Sequence, residues 1–138
     1  MSNLVHAVET AGQPQYGVIL LHDAAFPVEE NLMVPDGAEI AAGRYSLTIR
    51  AARVGWHSTV RMELWGGPPP AEESGWSVAE ATLPVRAGEE GPAALVLHAL
   101  TLGEYGDRLE LPAPGSYRVR ALTRPDEARI QVWRSKTV

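Results

Sequence analysis

Four histidines, 17 acids, 12 bases and no cysteine make up the chain's chemically active side chains. Without cysteine there is no disulfide scaffold, thiolate metal site or cysteine nucleophile. His6, His22, His57 and His98 stand apart, and no two have the spacing of metal ligands on one element. His22-Asp23 offers an imidazole–carboxylate pair and His57-Ser58 a base beside a nucleophile. Neighbours on a strand point to opposite faces, which argues against both. His98, inside the apolar run 93–100, reads as a core or edge histidine. The chain holds no Gly-x-Ser-x-Gly, Walker-type loop, Gly-x-Gly-x-x-Gly or His-Glu-x-x-His. We expect a non-enzyme with no cofactor and no metal.

The remaining candidates are charged and suit binding rather than catalysis. Glu72-Glu73, Glu89-Glu90 and Glu104-x-x-Asp107 sit in or beside expected loops. Clustered exposed acids either keep a loop solvated or meet a basic cleft on a partner. Glu104, Asp107 and Glu110 could offer oxygen ligands to calcium, but match no recognised loop pattern. Arg118 and Arg120, two apart, should share the outward face of a strand and either pair with neighbouring acids or present a fork to a partner's carboxylate. Trp56, Trp65, Trp76 and Trp133 divide between expected core and strand ends; aromatic packing is their ordinary use and a sugar-stacking platform the other.

Charge alternates along the chain: −6 over residues 1–43, +3 over 44–65, −6 over 66–115 and +4 over 116–138. Acidic and basic strands should therefore lie side by side and pair across the surface. The net charge of −5 argues against DNA or RNA as the main partner. No apolar run approaches the roughly 18 residues that span a bilayer, and the first residues lack the pattern of a signal peptide. No membrane partner and a cytoplasmic location are expected.

Period-2 alternation is the main signal for the elements that position these groups. Residues 16–22 read as a strand buried on both faces, and 44–54 as one with a wet face. Val60, Met62 and Leu64 alternate with Arg61, Glu63 and Trp65 before Gly66-Gly67-Pro68-Pro69-Pro70 ends the strand. The stretch from Trp76 to Val85 changes parity, and a bulge near Glu80-Ala81 would absorb the odd residue. Residues 93–100 fit a buried strand or a short helix, and 24–43 a long loop with a short helix near 28–33. Tyr117, Val119 and Ala121, then Ile130 and Val132, alternate with polar or bulky residues. Leu47, Ile49, Val60, Met62, Leu64, Leu83, Val85, Tyr117, Val119, Ile130 and Val132 form the expected core. The pattern specifies one all-β domain over residues 1–138: a two-sheet antiparallel β-sandwich of about seven or eight strands, jelly-roll connections being one way to link them, with little helix.

Three segments of the C-terminal half carry a resemblance. Residues 76–85 are similar to a tryptophan-led strand ending in an acidic-small-x-Leu step. Pro114-Gly115-Ser116-Tyr117-Arg118-Val119-Arg120 resembles a Pro-Gly-x-Tyr-x-Val-Arg segment, and Arg129-Ile130-Gln131-Val132-Trp133 a closing x-x-Gln-Leu-Trp strand. This order, over about residues 60–134, resembles a family of small actinobacterial proteins related to competence protein J, the inhibitor of the DNA-entry nuclease. The resemblance implies a turn at the glycine, Tyr117 and Val119 facing the core and the last tryptophan capping it. Arg134 stands where a proline commonly follows that tryptophan. The implied role is to bind and neutralise a basic partner such as a nuclease or toxin. A carbohydrate- or small-ligand-binding sandwich, and a jelly-roll enzyme, are the alternatives the residues leave open.

Overall fold

The computed structural model describes residues 3–11, 18–25, 34, 38–50, 59–70, 75–86, 93–99, 103–125 and 127–135. Ten strands run through them in chain order. The first five are β1 (Leu4–Ala11), β2 (Val18–Asp23), β3 (Ile40–Ala42), β4 (Ser46–Arg50) and β5 (Thr59–Trp65). The others are β6 (Ser77–Val85), β7 (Ala94–Ala99), β8 (Gly103–Glu110), β9 (Gly115–Arg124) and β10 (Glu127–Arg134). The described residues include no helix, and 94–99 is a strand. The expected helix near 28–33 lies outside them.

Two five-stranded sheets result. Sheet A has the order β1-β5-β10-β9-β6 and sheet B the order β3-β4-β2-β7-β8. Pairing is antiparallel except between β5 and β10, which run parallel. The extra strands are β1, which sequence alternation did not mark, and the three-residue β3 inside the expected 24–43 loop. The Asp107 neighbourhood is also strand, not loop.

The inward positions meet in one core. Val60, Met62, Leu64, Leu83, Val85, Tyr117, Val119, Ile130 and Val132 of sheet A pack with Ile19, Leu21, Leu47, Ile49, Leu95, Leu97 and Leu109 of sheet B. Each such side chain contributes roughly 1.5–3 kcal/mol on leaving water. All eleven expected core residues are buried. The predicted bulge near Glu80-Ala81 is not there, because β6 and β9 stay in register from Ser77↔Thr123 to Val85↔Gly115. Val78 instead points outward and is exposed. The bulges lie in β1 near Val5 and in the β7–β8 ladder between Leu95 and Leu97.

The expected wet face of β4 is a second correction: Ser46 and Thr48 are buried along with Leu47 and Ile49. On the same strand the Arg50 guanidinium donates to the carbonyls of Val34 and Ala38, which holds those two residues beside β4. The sheets are also pinned to each other by Asp23, which is fully buried. Its carboxylate accepts the backbone N–H of Ala25 and, just past the end of β6, that of Arg86, each at 2.9 Å. At the edges β1 lies beside β8, and β6 beside β3. Gly106 makes the first approach possible: its φ is +73°, and a Cβ there would sit 2.9 Å from Thr10 Cβ.

Candidate functional site

Among the described residues, the outward side of sheet A gathers most of the ion pairs. Register sets one row as Glu63 on β5, Gln131 on β10, Arg120 on β9 and Glu80 on β6. The row beside it holds Trp65, Trp133, Arg118 and Thr82. Period-2 geometry puts these side chains on one face because they alternate with Met62, Leu64, Val119 and Val132, which the core claims.

Glu63 organises the β5–β10 half of this face. It is buried, yet both oxygens are satisfied. One accepts Arg61 Nε–H at 2.6 Å; the other accepts Trp65 Nε1–H at 3.0 Å and Gln131 Nε2–H at 3.2 Å. Arg61 also reaches Glu9 on β1 at 3.0 Å, and these two carboxylates hold its guanidinium above its ordinary pKa. Arg129 faces Glu63 at 4.0 Å and donates to Glu127, which also pairs with Arg124. Arg124 and Arg129 lie over the ring of Trp76, 4.2 and 5.2 Å from its centre.

The β9–β6 half is held differently. Arg118 donates to Thr82 Oγ1 at 2.9 Å, and its nearest carboxylate, Glu80, is 3.8 Å away. Arg120 approaches the same Glu80 oxygen at 3.5 Å, caps the Trp133 ring at 5.1 Å and donates to the Pro69 carbonyl at 3.3 Å. Pro69 is buried, so the proline segment leaving β5 closes over this part of the sheet. Trp133 therefore does not cap the core, as the resemblance implied. It lies on the outer face and is itself covered. Arg134 donates to the Pro114 carbonyl at 3.3 Å.

A second cluster lies on the outward side of sheet B. His22 and His98 meet edge-on with ring centres 5.5 Å apart. His22 Nδ1–H donates to the Asp23 carbonyl, while its buried Nε2 has no hydrogen-bond partner among the described residues. Burial, then the neighbouring His22, pushes His98 below the ordinary imidazole range. Glu104, opposite His98 in the ladder, forms a two-pronged ion pair with Arg108 at 2.9 Å, which holds its carboxyl below the usual range.

The predicted candidates thus fall on separate surfaces. Arg118 and Arg120 share the outward face of sheet A, as the spacing required. Glu104 and Asp107 lie on β8, the edge of sheet B, in a strand where a loop was expected. Glu72, Glu73, Glu89 and Glu90 lie outside the described residues, as do Trp56, His57 and Ser58. Among the described residues, no three histidines, aspartates or glutamates converge on a point where a metal ion could be held. Glu63, Glu80 and the His22–His98 pair were not expected to act together. The signal available for the sheet A cluster was Glu63 and Gln131 at outward parity beside Arg61 and Arg129.

The architecture is that of a ten-stranded two-sheet sandwich whose outer faces carry ion pairs. No protein-family model matches the chain, and no curated protein matches it in sequence. In three dimensions it is similar to ComJ from Bacillus subtilis, the inhibitor of the DNA degrading activity of NucA. The TM-score is 0.63 at 14% identity, over 98% of this chain and 99% of that one. The likeness to competence protein J suspected from residues 60–134 therefore extends through the fold, including the N-terminal strands.

Proposed function

We propose that this chain is a non-enzymatic protein-binding module of the inhibitor type, acting in the cytoplasm on a basic partner such as a nuclease. The observation that carries the reading is the near-complete structural overlap with a nuclease inhibitor. The net charge of −5 supports it, since a long-range acidic field speeds encounter with a basic cleft. The acids proposed to meet that cleft are Glu72, Glu73, Glu89 and Glu90, with Glu104 and Asp107 on β8. Arg118 and Arg120 are proposed to belong to the same binding function. The tryptophans favour protein over sugar as ligand: Trp76 and Trp133 are covered by arginines, and Trp65 donates to Glu63.

The test is to immobilise the chain, capture binders from host extract and assay the eluted protein for DNA degradation. A basic protein whose activity falls when one equivalent of the chain is returned supports inhibition. Degradation unchanged at equimolar chain overturns it.

A further inference from the structure

Resting on the protein-binding reading, we infer that the Arg118–Arg120 pair and the outward stripe of β6 form the contact that accepts a carboxylate of the partner, with an apolar partner side chain seated on Val78. The guanidinium groups are satisfied very differently. Arg61 and Arg108 meet their carboxylates at 2.6–3.0 Å, and Arg108 does so with two prongs. Arg118 and Arg120 share a single oxygen of Glu80 at 3.8 and 3.5 Å, too long for charge-assisted hydrogen bonds. A guanidinium has five N–H donors, and among the described residues the only side-chain hydrogen bond of Arg118 is to Thr82. Its side chain is 37% exposed, which leaves room for a further partner.

Arg120 supplies the rigid half of the fork. It is only 17% exposed and is clamped by the Trp133 ring and the Pro69 carbonyl. A donor already held in place loses little side-chain entropy when it binds. Beside the fork, the outward positions of β6 are Val78, Glu80, Thr82 and Pro84, all exposed. They recur about every 6.6 Å, two strand residues apart. An exposed apolar group, a half-bound arginine and an edge-strand proline give the mixture that anchors protein contacts. Glu80 places a negative charge beside the fork, which disfavours a polyanion. A single carboxylate can displace it. The acids on the rest of the molecule steer the partner, and this fork fixes its register.

The experiment needs no partner. The Nε–H signals of Arg118 and Arg120 are followed by nitrogen-15 NMR during titration with acetyl-Leu-Glu-Leu-amide, its glutamine analogue and a short single-stranded oligonucleotide. We expect both signals to shift saturably with the glutamate peptide, at about millimolar affinity, and not with the glutamine one. Glu80→Gln removes the internal competitor and should tighten peptide binding roughly three- to tenfold, whereas Arg118→Lys keeps charge, loses the fork and should abolish most of it. Circular dichroism checks that both variants remain folded. No saturable shift, equal shifts with the two peptides, or weaker binding in Glu80→Gln overturns the inference. Stronger binding of the oligonucleotide at the same signals overturns it in favour of phosphate. Failure of the capture assay instead counts against the inhibitor reading, so the two can fail separately.

Discussion

Replacing Glu63 by alanine tests whether the outer face of sheet A is sealed from water. The side chain is 5% exposed and accepts hydrogen bonds from Arg61, Trp65 and Gln131. Removing it takes away the acceptor of the Gln131 Nε2–H, whose residue is 1% exposed, at a cost of about 1–3 kcal/mol. Trp65 is only half-buried, so water can replace part of its lost bond. Arg61 keeps Glu9 and is 28% exposed, so its share is discounted to about 1 kcal/mol. The expected total is about 3–4 kcal/mol, and with roughly 3 °C per kcal/mol at this size Tm falls by about 10 °C. The control is Glu9→Ala, whose side chain is 55% exposed and should cost under about 1 kcal/mol. Urea unfolding of both variants gives the comparison. Adding Gln131→Met to Glu63→Ala should restore part of the loss, because the donor that lost this acceptor leaves with it. A cost for Glu63→Ala no larger than for Glu9→Ala would refute the reasoning and mean that water reaches this face.

Other expectations concern packing, backbone and protonation. Ile130→Ala, at a site 1% exposed in the central strand of sheet A, should cost about 2–4 kcal/mol in the same urea assay. Gly106→Ala should destabilise more than Gly103→Ala: both have positive φ, but only Gly106 would drive a Cβ into Thr10, so the measured unfolding midpoints should separate. His98 is harder to protonate folded than unfolded, so the unfolded chain binds more protons just below the ordinary imidazole value of 6.5. Stability should be lost as pH falls through that value, and His98→Gln should flatten the pH dependence of the unfolding midpoint between about pH 5 and 7.

The inward faces were legible because alternation and burial coincide in them. Val60, Met62, Leu64, Tyr117, Val119, Ile130 and Val132 alternate with polar or bulky residues, and a core-facing strand needs no other signal. Outward faces were less legible, since their burial depends on what crosses them. Ser46 and Thr48 look like solvent residues until β4 and its coverings are seen together. Val78 misled in the opposite sense: reading its apolar side chain as inward invited a bulge that unbroken register makes unnecessary. Arg118 and Arg120 were rightly placed on one face, and the expected pairing of acidic with basic strands appears as Arg61–Glu9 and the Glu80 contacts. Spacing did not reveal that Glu80 is shared loosely or that Glu63 is fully enclosed. Those are distances between strands far apart in sequence. Glu104 and Asp107 were read as loop, yet they lie in β8, where Gly103 and Gly106 have positive φ and the ladder with β7 shifts register.

The parallel β5–β10 contact governs the order in which the protein can assemble. Within sheet A, β1–β5 forms one block and β9–β6 another, and β10 alone joins them. That central strand is also the last of the sheet to leave the ribosome. Until residues 127–134 emerge, β5 and β9 each present an open edge that the finished sheet conceals. Those edges bear apolar residues such as Met62 and Val119 and can capture stray strands. The β5 edge therefore stays open from its own synthesis until β10 arrives, and β10 then closes the β1–β5 block onto the β9–β6 block. Many pairings that close then are distant in sequence, which makes this step intrinsically slow. A sandwich in which the final strand merely completed an edge would carry no such exposed interval.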